Sequence, residues 1–213
     1  MKIYPVVAGD LSGKMDRTVF YKMEDRCFGR KKAQYLKREF SEVERKQHLV
    51  FGFMNKIGRC VKYVLRTSLP KSPKYLSASN YFVQLNIKRC EVTDLENQVV
   101  TFDFENAVFA VGGMAIPTVS MTYEEAGRQI SFSVTSGGDR EFPGNMGSDR
   151  VYVILLESVL LQAYVVELCT RGDGKIVSET LPQLWSKENV HVYAFASDES
   201  GKETSPSYHL TFA

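Results

Sequence analysis

The sequence has few of the residues on which metal sites and disulfide-stabilised folds depend. It contains one tryptophan, three histidines and four cysteines among 213 residues. The cysteines Cys27, Cys60, Cys90 and Cys169 form no CxxC pair, and no histidine stands near them at ligand spacing. This pattern excludes a zinc finger. We expect reduced, buried thiols, because free cysteine behaves as a small apolar residue.

No apolar run is long enough to span a bilayer. The most apolar window, residues 151–166, is interrupted by Glu157 and Gln162, and a spanning helix needs about 20 residues. Residues 1–9 hold too short an apolar run for a signal peptide. We therefore expect a soluble protein that stays in the cytoplasm and does not bind a membrane.

The usual patterns of catalysis are absent as well. No serine lies in a Gly-x-Ser-x-Gly turn. His191 and His209 become neighbours only if the last strands pair, and two histidines alone make a poor metal site. Residues 9–14 resemble a phosphate-binding loop, but the spacing is one residue short and Met15 replaces the hydroxyl residue. The sequence predicts a protein that is not an enzyme and has no cofactor.

Charge is divided unevenly along the chain. Residues 1–75 hold 18 Lys and Arg against 7 Asp and Glu, a balance of +11, and residues 76–213 have a balance of −9. Oppositely charged halves either dock on one another or present a basic face to an acidic partner. We expect docking of the two halves.

One long amphipathic helix is predicted after Ser41. Ser41 and Glu44 form a capping box, in which each side chain satisfies a backbone amide of the first turn. Apolar residues then recur at helical spacing and should face a core: Val43, Val50, Met54, Ile57, Val61 and Val64. The opposite side of the helix is basic.

The second half of the chain changes to short β-rich runs separated by turn residues, which is typical of an antiparallel sandwich. The runs are 99–104, 107–111, 118–123, 129–135, 151–156, 161–169, 175–181, 190–196 and 207–212. The predicted fold is mainly β. A basic α+β region with the long helix covers residues 1–98, and an acidic sandwich of immunoglobulin or fibronectin type III type covers residues 99–213.

Two turns of this sandwich carry motifs with alternative interpretations. Residues 137–149 form a loop in which Asp139, Glu141 and Asp149 offer oxygen ligands, but their spacing matches no known calcium loop. We expect a solvated loop with no metal. The tripeptide Arg171–Asp173 reproduces an integrin-binding motif, and the simpler interpretation is an exposed hairpin turn.

Local patterns at both ends of the chain resemble an uncharacterised protein family of similar length, known mostly from Bacteroidetes. The N-terminal signature is Ser12-Gly13-Lys14 followed by Val19-Phe20-Tyr21. The C-terminal patterns are Asp149-x-Val151-x-Val153, Leu181-Pro182 before Trp185, Val190-His191-Val192-Tyr193, and Ser205-x-Ser207-Tyr208. Asp16 stands where that family has glycine. The resemblance implies an immunoglobulin/fibronectin-like C-terminal region, and it brings no established activity and no functional residues.

Three functions are compatible with these observations. The preferred one is a non-enzymatic interaction or structural protein that binds a protein partner or assembles with itself through loops or edge strands. The first alternative is nucleic-acid binding through the basic segment 22–66, where cations alternate with aromatic residues. Its candidate contacts, which would equally serve a protein partner, are Arg26, Arg30, Lys31, Lys32, Lys37, Arg38, Arg45, Lys56, Arg59 and Arg66. The weakest alternative is a glycan-binding module, since Trp185 is the only tryptophan available for a sugar platform.

Overall fold

The chain forms two compact units, Met1–Phe40 and Ser41–Ala213. The computed structural model describes residues 2–3, 13–23, 26–33, 39–70, 77–135 and 144–212. Residues 136–143, which hold most of the predicted loop at 137–149, lie outside the described residues.

The described residues of the first unit form a small antiparallel sheet with the strand order β1-β4-β3-β2. Its strands are β1 (Lys2–Ile3), β2 (Gly13–Met15), β3 (Thr18–Met23) and β4 (Arg26–Lys31). The basic stretch that starts at Arg26 therefore begins as a strand. Asp16 in the β2–β3 turn has a φ of 47°, a left-handed conformation that glycine adopts more readily.

Three helices open the second unit. They are α1 (Glu42–Cys60), α2 (Val64–Ser68) and α3 (Ala78–Asn86). The predicted capping box is present, because the Glu44 amide donates to Ser41 Oγ at 3.3 Å and the Ser41 amide donates to Glu44 Oε2 at 3.0 Å.

The apolar stripe predicted for α1 is buried only along its second half. Met54, Ile57 and Val61 are fully buried, whereas Val43 in the first turn is 64% exposed. The helix also ends at Cys60, so Val64 belongs to the separate helix α2. The core that receives this stripe begins about three turns after the helix start.

Nine strands complete the second unit. They are β5 (Cys90–Asp94), β6 (Val99–Phe102), β7 (Val119–Glu124), β8 (Gln129–Val134), β9 (Arg150–Glu157), β10 (Gln162–Thr170), β11 (Ile176–Thr180), β12 (Val190–Ser197) and β13 (Tyr208–Leu210). They form a main sheet in the order β10-β9-β12-β13, a second sheet in the order β11-β8-β7, and the hairpin β5-β6. All pairings are antiparallel. The described chain is thus mainly β with several antiparallel sheets, as predicted.

The main sheet is buried on both faces. On β9, Val153 and Leu155 point into a core shared with the second sheet. Ile154 and Leu156 point the other way, into a core shared with α1, α2 and α3. The main sheet is therefore the middle of three layers, and its contacts with the helices are apolar.

The predicted domain boundary between residues 98 and 99 falls in the turn of the β5-β6 hairpin, inside the second unit. The core on the helix side contains Ile57 from before this point and Phe195 from after it.

Residues 107–111, predicted as a strand, are not one. The amides of Phe109 and Ala110 donate to Ser207 Oγ at 2.9 and 3.1 Å. Next to them, a Cβ on Gly112 would lie 1.8 Å from the backbone oxygen of Thr204. Side-chain hydrogen bonds and this close backbone approach replace a strand ladder here.

Candidate interaction surfaces

The predicted basic contacts are distributed over both units. Arg26, Arg30 and Lys31 lie on β4, and Lys32 follows it. Arg45, Lys56 and Arg59 lie on α1, and Arg66 lies on α2. Lys37 and Arg38 lie outside the described residues.

In the first unit, one sheet face combines aromatic and cationic side chains. Tyr21 and Phe28 are cross-strand partners whose rings stack at 5.6 Å. The Arg30 guanidinium lies 5.9 Å from the centre of the Tyr21 ring. Lys31 is adjacent to Arg30 in the same strand and therefore projects from the opposite face.

In the second unit, Arg45 is separated from the other three predicted contacts. It stands 11 residues before Lys56, which is about 16 Å along the helix axis. Arg45 borders a groove of about 390 Å³ that also contains the carboxylate of Glu96. This end of α1 therefore lies beside charges of both signs.

The other three predicted cations, Lys56, Arg59 and Arg66, lie near two exposed residues that are not among the predicted contacts. Lys62 and Tyr63 occupy the turn between α1 and α2, and both are exposed. The Arg66 guanidinium lies 5.1 Å from the centre of the Tyr63 ring, and that ring is 72% exposed. We call this set the Tyr63 patch: Lys56, Arg59, Lys62, Tyr63 and Arg66.

One sequence signal would have identified this patch. No Asp or Glu occurs between Glu44 and Glu91, and residues 45–90 hold ten Lys and Arg. The predicted basic side of the helix included three of the patch's four cations but not Lys62 or Tyr63.

A groove of about 450 Å³ borders the Tyr63 patch between α1 and α3. Its lining includes Asn55, Arg59, Ser79 and Asn80 and contains no carboxylate. A third groove, of about 470 Å³ beside Lys46, contains Glu91. Of these three grooves, the one at Arg59 is the one without an acidic side chain.

His191 and His209 are neighbours, as expected if the last strands pair. Their ring centres lie 5.6 Å apart, and the His191 ring stacks on Phe104 at 4.5 Å. Burial lowers the pKa of both imidazoles, and the nearby His209 lowers that of His191 further. Among the described residues, no group of three or more His, Cys, Asp or Glu side chains could hold a metal ion.

None of the four cysteines forms a disulfide in the structure. Cys27 and Cys169 are buried, and Cys60 and Cys90 are partly buried. Burial raises the pKa of the Cys60 thiol, and it raises that of Cys90 to about 11. Both groups are therefore thiols at neutral pH, with little nucleophilic thiolate.

Residues 171–173 form a turn, as expected, but the Arg171 side chain in it is not exposed. It is 4% exposed, and its Nη2 donates to the Ala115 carbonyl at 2.7 Å. Its Nε lies 3.7 Å from Oδ2 of Asp149, which is also buried. Arg171 therefore anchors the end of the predicted 137–149 loop, and Asp149, one of the three oxygen donors considered there, is engaged by this cation.

The outer side of β10 is an open strand edge. This strand is nine residues long and terminates the main sheet next to β9. Within the described part of the chain, no backbone group outside β9 bonds to the backbone of residues 162–167. Residues 162–167 pair regularly with β9, and a register shift follows between Glu167 and Cys169. An unpaired regular edge can accept another strand.

The turn that leads into β10 is apolar where turns are usually polar. Val159 is 69% exposed and Leu160 is 44% exposed. Leu161 has a φ of 53°, a strained conformation for a bulky residue. The buried carboxylate of Glu157 accepts a hydrogen bond from the Leu160 amide, which holds the turn in place.

The only tryptophan is not available as a sugar platform. Trp185 is 2% exposed, and its indole donates to Gln162 Oε1 at 2.9 Å.

No protein-family model, no curated protein and no solved structure matches this chain. Of the helices in the described ranges, none has the length and apolar character needed to cross a membrane.

Proposed function

We propose that this protein is a non-enzymatic assembly protein built on a fibronectin type III-like sandwich. The strand order supports this proposal. If β7 to β13 are lettered A to G, one sheet holds A, B and E and the other holds C, D, F and G. In the immunoglobulin constant arrangement, strand D lies beside strand E. In the fibronectin type III arrangement it lies beside strand C, as it does here. The resemblance to the Bacteroidetes family implies the same kind of sandwich.

The open edge of β10 is the observation that carries the assembly function. Its regular part, residues 162–167, contains Tyr164, Val165 and Val166 and has neither proline nor lysine. Soluble proteins commonly protect a free edge with those two residues. The apolar turn at Val159 and Leu160 extends the same surface.

We propose that the partner strand is β10 of a second copy. In a two-fold antiparallel pair centred between Tyr164 and Val165, each Glu167 lies opposite Gln162 of the other copy. No like charges then face one another, so the strand is compatible with itself. As part of the same proposal the protein is cytoplasmic, since none of its four cysteines forms a disulfide and that compartment keeps thiols reduced.

Sedimentation velocity over a range of protein concentrations tests this assembly. The proposal predicts a reversible dimer, together with slower hydrogen exchange in residues 162–167 at high concentration than at low concentration. A monomer at every concentration, or unchanged exchange in that segment, would refute pairing through β10.

The variant Gln162→Glu sharpens the same test. It retains the oxygen that accepts from Trp185 but places two carboxylates opposite Glu167 side chains across the interface. Each like-charged pair costs about 0.2–1 kcal/mol, so dimerisation should weaken about 2- to 25-fold. Gln84→Glu, at an exposed position of α3, adds the same charge outside β10 and should leave the dimer unchanged.

A further inference from the structure

The outer side of α1 and α2 carries positive charge that the described molecule does not neutralise. The helices pack on the main sheet through apolar residues such as Ile57 and Leu65, which leaves their cations outside. Among the described residues, the ion pairs do not include Lys56, Arg59, Lys62 or Arg66.

The Tyr63 patch combines these four cations with an exposed ring. Lys56 and Arg59 lie one turn apart on α1, and Lys62 and Tyr63 follow in the turn. Arg66 contacts one side of the Tyr63 ring. A ring that is 72% exposed retains apolar surface on which a planar group can stack.

The adjoining groove adds neutral hydrogen-bonding groups. Asn55 and Asn80 line it together with Arg59, and amide side chains both donate and accept hydrogen bonds. No carboxylate lines the groove, so it does not repel an anionic ligand.

We infer that the Tyr63 patch binds single-stranded nucleic acid. Its cations neutralise successive phosphates, and an unstacked base packs on Tyr63. The groove amides contact the edge of a neighbouring base. A duplex has no unstacked base to offer, so it is held by charge alone. None of the five residues of the patch belongs to β10, the strand proposed for assembly.

Fluorescence anisotropy with labelled oligonucleotides of about 16 nucleotides tests this inference. Oligothymidylate and oligouridylate represent DNA and RNA, and a duplex of equal length is the comparison. Four phosphate contacts predict that log K falls with log salt with a slope of about −2.8 for the single strands. The single strands should bind more tightly than the duplex at equal salt.

Two sets of variants separate the contribution of base stacking to the binding affinity from the contribution of charge. Tyr63→Ala should weaken single-strand binding at least about fivefold and leave duplex binding unchanged, and Tyr63→Phe should retain binding. The double variant Lys56→Glu/Lys62→Glu should weaken binding at least about tenfold and reduce the salt slope by about 1.4. Lys175→Glu/Lys202→Glu makes the same charge change at exposed turns and should have a smaller effect.

The substituted side chains are exposed, so thermal unfolding followed by Trp185 fluorescence should be unchanged and a misfolded variant is recognised directly. The inference is overturned by any of four results: no binding at low salt, preference for the duplex, equal losses in the two double variants, or unaltered binding in Tyr63→Ala. Stronger competition by polyglutamate than by oligonucleotide of equal charge would overturn it in favour of an acidic protein partner.

Discussion

The two faces of the main sheet are covered by different kinds of structure, and they differ in how readily the sequence predicts them. The face toward β7, β8 and β11 meets strands whose buried and exposed residues alternate, as on β7. The other face meets helices. Because β9 serves both faces, its residues from Val153 to Glu157 are all buried. A continuous apolar strand indicates a sheet covered on both sides.

Substitutions of two neighbouring residues on β9 compare the contributions of the two faces to stability, and they have the largest effects expected here. Ile154 points to the helices and Leu155 to the second sheet, and both are fully buried. Each change to alanine should reduce the free energy of unfolding by about 2–5 kcal/mol, measured by urea denaturation. If the helices were a loosely attached lobe, Ile154→Ala would cost far less than Leu155→Ala.

Asn86 tests how the helices are attached to the rest of the unit. Its side-chain amide donates to the carbonyls of Phe82 and Val108 at 3.0 and 2.8 Å, and its oxygen accepts from the Val108 amide at 2.8 Å. Asn86→Ala leaves buried backbone groups unpaired and should cost about 2 kcal/mol in the same assay. Asn80→Ala, on the exposed side of α3, should stay within about 0.5 kcal/mol of the parent.

The histidine pair on the helix-facing side of the main sheet should make stability depend on pH. Burial lowers the pKa of His191 and His209, so the unfolded chain binds protons first as the pH falls below about 6.5. Stability should therefore decrease through that range and level off below the folded-state pKa values, with each histidine contributing up to about 1.4 kcal/mol per pH unit. His209→Gln should reduce the slope, and an unchanged slope would contradict this assignment.

The smallest expected effect concerns the glycines of α1. A Cβ on Gly52 meets nothing within 4 Å, while one on Gly58 reaches Val83 at 3.5 Å. Gly52→Ala should raise the free energy of unfolding by up to about 1 kcal/mol, because alanine favours the helix. Gly58→Ala should gain no more than that. A loss of stability in Gly52→Ala would show that the position is covered.

Much of the fold was predictable, because local patterns determine it. Eight of the nine predicted β-rich runs overlap strands, and the capping box marks the start of α1. The strand predicted at residues 107–111 was wrong, because the amides of Phe109 and Ala110 are satisfied by Ser207, about a hundred positions away in the chain. The buried position predicted for Val43 was wrong as well, because periodicity does not show where a core ends.

The interaction surfaces were less predictable. The basic residues were found from composition, but separating Arg45 from Arg59 required the position of Glu96, which follows the helices in sequence. The β10 edge depends on sheet order, and no local pattern encodes which strand ends a sheet. The residues that cover the second face of β9 come from a segment about a hundred residues earlier.

The helices and the two sheets should fold as one cooperative unit around the main sheet. Trp185 lies in the core between the sheets, so its fluorescence reports that core, and far-ultraviolet circular dichroism reports the helices. Urea unfolding of the full chain, followed by both signals in one sample, should give superimposable transitions with one midpoint. Helix loss at a clearly lower urea concentration than the change in Trp185 fluorescence would contradict the account.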